Sequence, residues 1–274
     1  INNEKIMYNS KINFETNIYN QFFKTVDKKI ENKYVVSEYF RSFPIFGITA
    51  ETPFKIINSK NNFIYTPKLK LVISPGSSNS NKLSNEDSSI NSYTIENNSN
   101  LNRYSGTDKL DNSKRLDLSF NIKNDIINGT FLTAYEFTDN SNYHYSQGNE
   151  KKLSDFLGNL SLNKEKYSAS YNFRFDPHNN FMKSQNTNFS YENKIGNYKL
   201  SYLDEKNKSG DVITSDKETL NYEFVSKKLF KYSKISYIGL YDLKKSINTE
   251  SGISYGYYDE CFGVNIDFKR KSYS

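Results

Sequence analysis

The chain has 274 residues, with 37 Lys and Arg against 31 Asp and Glu, a formal net charge of +6 and one cysteine. This length fits one large β domain or two ordinary domains. The single cysteine excludes a disulfide within the chain and a zinc site built from several cysteines. No run of about 18 or more apolar residues exists, so helical membrane spans are excluded, whereas β-barrel strands with their weaker hydropathy signal are not.

The composition combines low hydropathy with many aromatic side chains. Hydrophobic residues make up 35% and the mean hydropathy is -0.79, values that alone would favour disorder. The 23 Tyr and 20 Phe, with no Trp, argue against disorder. Together these features fit a barrel with a polar lumen and an aromatic exterior. The positive charge fits either contact with anionic lipid headgroups or an ordinary solvated surface.

Polar and apolar side chains alternate from the beginning of the chain, as in strands with two unlike faces. Residues 5–24 and 63–73 are predicted strands, and residues 33–57 contain one or two. Proline cannot donate to a β-ladder, so Pro44 and Pro53 should lie at bulges, edges or strand ends.

The second half of the chain shows a more regular series of hairpins. Asn128–Gly129 and Asp176–Asn179 have turn compositions, Asp204–Ser215 has the length of a longer loop, and residues 139–150 form a polar loop containing His144. The predicted strands are 116–122, 131–137, 152–163, 168–175, 184–193, 196–205, 216–227, 229–243, 246–257 and 259–270.

This pattern predicts an all-β protein with roughly a dozen antiparallel strands of about 10 residues, as in outer-membrane barrels. Charged residues occupy the parity opposite the aromatic rows, which suits a wet lumen. A soluble sandwich or a β-solenoid stays open, because half-buried strands also alternate. The basic residues predicted to face the lumen are Lys70, Arg174 and Lys199.

Between these two regions, residues 76–113 lack apolar periodicity and form a long loop. The loop contains many residues that make ordered turns, including Asp87, Ser88 and Gly106. We interpret it as an ordered loop, with disorder as the alternative. Its charged residues Arg103, Asp108, Lys109 and Arg115 either form an ion-pair network at the barrel mouth or make exposed pairs that contribute only about 0–1 kcal/mol each.

The sequence gives no support for an enzyme, a metal site, a cofactor or nucleic-acid binding. His144 and His178 are far apart and have no companions at ligand spacing. Adjacent acidic pairs such as Asp259-Glu260 lack the paired environment that catalysis by two carboxylates requires. No phosphate-binding glycine loop or nucleic-acid-binding signature is present.

Three blocks together resemble the outer-membrane LPS-assembly protein family (LptD, also called OstA). One is similar to the family's SDYVG and YRFRxD hairpin, and comprises Ser154 to Gly158 with Tyr171 to Asp176. Another, Tyr258 to Phe262, resembles a late DECF strand. The loop motif resembles the family's NEDS and NRFSGxDR segments, with Lys109 in place of arginine, and consists of Glu86, Asp87, Ser88, Asn102, Arg103, Tyr104, Ser105, Gly106, Asp108 and Lys109.

The resemblance implies that residues 1–274 are the C-terminal part of a larger antiparallel transmembrane β-barrel, incomplete by themselves. It implies a Gram-negative outer-membrane location and a role in LPS transport and insertion into the outer leaflet. It also implies that Cys261 forms a disulfide with an N-terminal region outside this chain; the alternative is a small buried thiol. The implied partners are LPS, outer-membrane lipid, a lipoprotein plug and periplasmic bridge proteins.

Two other classes of function remain open at this stage. The first is a different outer-membrane barrel, either a porin-like channel or an enzyme barrel. The second is an extracellular β-rich binding module, which would be water-soluble without detergent and would lack an outward apolar band about 25 Å high.

Overall fold

The structure is a computed structural model that describes residues 2–7, 9–30, 33–57, 62–74, 85–90, 93–138, 151–209, 212–227 and 232–272. The predicted loop around His144 lies outside the described residues, as does the beginning of the long loop. The strands are β1 (Asn2–Met7), β2 (Ser10–Ile30), β3 (Lys33–Glu51), β4 (Phe54–Ile57), β5 (Asn62–Ile73), β6 (Ser89–Ile90), β7 (Tyr104–Ser105), β8 (Lys114–Lys123), β9 (Ile127–Glu136), β10 (Phe156–Lys164), β11 (Tyr167–Asp176), β12 (Phe181–Glu192), β13 (Gly196–Ser209), β14 (Val212–Ser226), β15 (Ser233–Asp242), β16 (Ile247–Tyr258) and β17 (Gly263–Lys271).

The described part of the chain is therefore almost entirely β, as predicted. One short helix, α1 (Ile95–Asn98), lies in the long loop, and the side chain of Thr94 caps its N-terminus. In the described ranges, no helix is both long enough and apolar enough to span a bilayer.

The chain divides into two compact units, residues 1–122 with 130–157 and residues 123–129 with 158–274. In the first unit, β1, β2, β3, β5, β8 and β9 are neighbours in that order, and β4 also pairs with β5. In the second unit, β10 to β17 follow one another in chain order. Each described pair from β11 to β17 is antiparallel.

The predicted alternation of faces is present in both units. In β2 the exposed row contains Phe14, Ile18 and Phe22, because successive side chains of a strand point to opposite faces. In β5, Leu69 is exposed while the next residue, Lys70, is buried. The apolar rows thus face outward, and they do not face one another in a dry interior.

The buried core of the first unit forms where the long loop packs on the sheet. Phe43, Ile45 and Val72 from β3 and β5 meet Leu101 and Leu110 from the loop. A second cluster combines Tyr93 of the loop with Leu132 and Leu157. The loop therefore contributes apolar side chains that fill the inner side of this sheet.

Two turns differ from the sequence prediction. Asn128–Gly129 lies inside β9, and the turn is centred on Asn124, whose side-chain oxygen accepts the N–H of Ile126 at 2.9 Å. Asn124 offers a side-chain acceptor to the turn, and this local bond outcompetes the Asn-Gly signal. The longer loop predicted at Asp204–Ser215 is instead a strand continuation, since β13 and β14 pair out to Ser209 and Val212.

Other turn predictions are confirmed. Asp176 ends β11, and its carboxylate accepts the N–H groups of His178 at 2.9 Å and Asn179 at 3.2 Å. Pro53 lies between β3 and β4. Pro44 lies inside β3, where it pairs with Ile18 of β2, and the described pairing of β3 with β5 begins at Phe46.

Candidate functional site

The carboxylate of Asp87 organises the long loop. It accepts the backbone N–H of Thr107 at 3.0 Å and that of Asp108 at 2.9 Å, and the hydroxyl of Ser88 donates to it at 2.8 Å. These donors hold the pKa of Asp87 well below its ordinary value, with the Asp108 N–H as the largest contribution. The two ends of the loop motif are thereby joined through one charged side chain.

The carboxylate of Asp108 caps backbone N–H groups in the Glu86–Ser88 part of the motif. It accepts the backbone N–H of Glu86 at 2.7 Å and that of Asp87 at 3.0 Å. Gly106 allows this close approach, because its φ is +76° and an added Cβ would lie 2.4 Å from the carbonyl oxygen of Asp87. The short strands β6 and β7 pair beside this contact, so the loop has its own ladder.

Side chains of β2 and β3 bind the loop through hydrogen bonds to its backbone. The guanidinium of Arg41 donates to the carbonyl oxygens of Thr107 at 2.7 Å and Asp108 at 2.9 Å. Gln21 donates to the same Thr107 carbonyl at 3.2 Å, and Arg41 also lies 5.1 Å from the ring centroid of Phe23. Sequence reasoning missed this tether, because Arg41 is far from the loop in the chain and carries no local signal.

A buried charge network lies where the loop enters β8. Arg103 donates to Asp111 at 2.6 Å and approaches Glu136 at 3.4 Å, whereas Arg115 donates to Asp111 at 3.1 Å and Asp117 at 3.0 Å. All five side chains are buried. The two guanidiniums face three carboxylates, so the charges largely balance, as buried ions require. Arg103 and Arg115 take part in a network as predicted, whereas the carboxylate of Asp108 caps backbone N–H groups instead.

Lys70 lies beneath the loop on β5 and is only 4% exposed. Its ammonium donates to Glu15 at 2.8 Å and to the carbonyl oxygen of Ser99 at 2.6 Å. Beside it is an open cleft of about 590 Å³. The cleft lies between the sheet and the loop, and it is lined by Glu15, Asn17, Tyr19, Lys68, Lys70, Ser99, Asn100, Leu101, Asn102, Tyr104 and Gly106.

The Ser154-Asp155 motif supports the loop from another side. Ser154 is buried, its hydroxyl bonds the hydroxyl of Tyr93, and it accepts the N–H of Ala134 at 2.8 Å. Burial raises the pKa of Tyr93 above its ordinary value, so the phenol stays protonated. The Ser154-Asp155 motif and the long loop therefore meet in the first unit.

The remaining predicted residues lie in the second unit. Arg174 is half-buried on β11, and Lys199 on β13 pairs with Glu223 at 3.2 Å in an exposed position. Cys261 is exposed in the turn between β16 and β17 and has no disulfide partner within this chain. The alternative of a buried thiol on a strand is therefore wrong. The neighbouring Asp259 accepts the N–H groups of Cys261 at 2.9 Å and Phe262 at 2.7 Å, which lowers its pKa.

Comparison with known proteins identifies the family. Residues 6–240 match the family described as LptD: LPS transport system D. The chain belongs to the LptD family. It is accordingly an antiparallel β-barrel protein of LPS assembly, located in the Gram-negative outer membrane, as the resemblance implied.

Other comparisons add little to the LptD assignment. Mutant forms of the porin from Rh. blastica match with TM-scores of 0.37 and 0.35 at 10% and 11% identity, each covering 94% of this chain and 94% of the porin chain. A likeness this weak carries no argument. No curated protein matches the chain. Within the described ranges, no group of three or more His, Cys, Asp or Glu is arranged to hold a metal ion.

Proposed function

We propose that this LptD-family chain forms part of the barrel wall that transports LPS and inserts it into the outer leaflet of the outer membrane. The observation that carries the proposal is the family match over residues 6–240. The docked loop supports it, because a loop fixed on the polar face of β2, β3 and β5 is suited to shaping a passage rather than leaving an open pore.

The transport mechanism rests on the two unlike faces of the wall. Charged side chains are tolerated at inward positions and are costly on the lipid face. The phosphate-bearing head of LPS therefore moves along the polar face, where Lys70, Arg174 and Lys199 supply positive charge. The acyl chains leave sideways through an opening between strands into the lipid. No bond is made or broken in this process, so the protein acts without catalysis and without a cofactor.

Lys70 is positioned for a specific part in this process. It lies at the cleft between sheet and loop, where its ammonium has one carboxylate partner and one carbonyl partner. An ammonium has three N–H donors, so one more donor is available to a phosphate or sugar oxygen.

The proposed partners, a lipoprotein plug and periplasmic bridge proteins, would complete the path on either side.

The first test compares two lysine substitutions in the intact protein. Lys70→Gln removes the cleft charge, and Lys55→Gln removes an exposed charge on β4 as a matched control. Newly made LPS at the cell surface is measured with an impermeant label, and folded barrel is measured in the same cells. We expect several-fold less surface LPS for Lys70→Gln at equal barrel abundance. Equal surface LPS in both variants would contradict the role of Lys70.

Conductance in planar bilayers separates this proposal from a porin-like channel. A wall with its loop docked should pass little current, whereas a porin conducts ions freely. A large steady conductance of the intact protein would favour the porin-like alternative.

A further inference from the structure

The outward apolar row of β2 is long. Ile12, Phe14, Ile18 and Phe22 lie on one face together with the uncharged Thr16 and Asn20, and Phe14, Ile18 and Phe22 are 46%, 61% and 64% exposed. Lys24 follows on that face and pairs with Glu38 at 3.4 Å. From Ile12 to Phe22 the strand covers about 33 Å at roughly 3.3 Å per residue. With a strand tilt of about 40°, the height is about 25 Å, which matches the apolar band of outer-membrane barrels.

The outward row of β13 and β14 is much shorter. Tyr198, Leu200 and Tyr202 of β13 pair with Phe224, Tyr222 and Leu220 of β14. This row covers about 13 Å of strand, or about 10 Å of height at the same tilt. The next pair on the same face is Asp204 with Glu218, and Lys206 with Asp216 follows.

These charged residues form a connected cluster on the outward face, in which Asp204 is buried and Asp216 and Lys244 are exposed. Asp204 accepts from Lys206 at 3.0 Å and from Gln185 at 3.1 Å. Lys244, from the turn after β15, lies 3.1 Å from Asp216 and 3.4 Å from Glu218. The cluster thus joins residues of β12, β13 and β14 with the turn after β15, and it is part of the wall. Its residues are Gln185, Asp204, Lys206, Asp216, Glu218 and Lys244, and we call it the outer polar cluster.

An aromatic row marks the other end of the short band. Tyr191 stacks on Tyr167 with ring centroids 4.8 Å apart, and Tyr198 lies 6.1 Å from Tyr191 and 4.9 Å from Phe224. Aromatic girdles of barrels lie at the two membrane–water interfaces. The apolar wall here is therefore bounded by an interfacial row on one side and by the outer polar cluster on the other.

We propose that the outer polar cluster contacts lipid headgroups and their water, so that the outer membrane is locally thin beside β13 and β14. Charges facing the middle of the bilayer are costly, whereas a short apolar wall can be matched by thinning the bilayer at a modest cost per ångström. In β17, too, a short apolar row is followed by a charged residue: Ile266 and Phe268 are exposed, and Arg270 comes next on the same face. This inference depends on the outer-membrane location and not on the transport mechanism.

Depth measurements on the intact reconstituted protein test the proposal. Nitroxide labels are placed singly at Leu200 and at Ile18 in an intact protein whose native cysteines, Cys261 included, are replaced by serine, and their depth is read from oxygen and nickel accessibility. We expect the Leu200 label about 5 Å below the nearest headgroups and the Ile18 label about 12 Å below them, half of the respective band heights. Equal depths for the two labels would overturn the proposal.

A pair of double variants tests whether the outer polar cluster causes the thinning. Asp204→Leu with Glu218→Leu extends the apolar row, and Glu205→Leu with Lys217→Leu changes the adjacent pair on the opposite face. The Leu200 label should move several ångströms deeper in the first variant and stay in place in the second. A Leu200 label that does not move in the folded first variant would contradict the proposal. If the first variant fails to fold, the comparison of Leu200 with Ile18 still decides it.

Discussion

Gly106 is the residue at which backbone geometry is most constrained. Its φ of +76° lies in the left-handed region, and a Cβ would meet the carbonyl oxygen of Asp87 at 2.4 Å. Alanine pays about 1–2 kcal/mol for the left-handed conformation alone, so Gly106→Ala should lower the free energy of unfolding by about 2 kcal/mol or more. Gly263→Ala is the control, since its φ is not left-handed and the nearest atom to an added Cβ is a ring carbon of Tyr258 at 3.1 Å. Thermal unfolding in detergent measures both, and equal transitions would contradict the prediction.

Asp87 makes the docking of the loop sensitive to acid. Its pKa is lowered in the folded protein, so its contribution is complete above the ordinary aspartate pKa of about 4 and is lost as the pH falls through the folded pKa. At neutral pH the wild-type loop should therefore resist proteolysis, and it should become cleavable only in strong acid. Acid-stable proteases can follow this over the lower pH range.

Asp87→Asn should make the loop cleavable by proteases already at neutral pH, as the wild-type loop is expected to be only in strong acid. Asparagine has no charge and only one acceptor oxygen, so it cannot hold the N–H groups of Thr107 and Asp108 as the carboxylate does. We expect rapid cleavage within residues 85–113 at pH 7. Asp125→Asn, an exposed carboxylate in the turn between β8 and β9, should leave the cleavage rate unchanged. A loop equally resistant in both variants would refute the role of Asp87.

At the scale of elements, the buried charge network holds the loop to the beginning of β8. Arg115→Met would leave Asp117 without its guanidinium and Asp111 with Arg103 only. Breaking a buried pair on one side costs about 3–5 kcal/mol, so little folded barrel should accumulate. Lys199→Met breaks the exposed pair with Glu223 and should cost only about 0–1 kcal/mol. Heat-modified mobility on gels measures the folded fraction, and similar fractions would argue against the network.

The elements that alternation predicted well are those with one apolar and one polar face. Strands such as β8, β11 and β17 appear close to their predicted positions. Turns were less predictable, because the Asx bond of Asn124 and the extended pairing of β13 with β14 depend on neighbouring strands. The contacts between the loop and the strands were not predictable. Alternation placed Lys70 on the inner face but did not indicate its contact with the loop, and no local pattern marks Arg41, because both reach the loop only after β3 and β5 have been placed side by side.

At the scale of the whole molecule, one physical rule connects the loop, the strands and the membrane. In the first unit, polar groups are gathered on the face that carries Lys70 and the loop, and apolar rows cover the opposite face. The length of those rows then sets the thickness of lipid that the wall matches. A long row at β2 and a short row at β13 therefore give one protein two different local requirements on the bilayer.

Cys261 is the residue for which we predict a covalent bridge to a segment outside this chain. It is the single cysteine of the sequence and is exposed in a turn, so any disulfide must use a partner outside these residues, and the outer membrane faces a compartment that permits one. In the intact protein from cells, we expect Cys261 to resist maleimide until a reductant is added. Cys261→Ser should abolish the reducible shift on non-reducing gels. Complete alkylation without reductant would show a free thiol and would refute the bridge, whereas a thiol unmasked only by reduction would establish that the LptD-family wall is covalently tied to a segment beyond it.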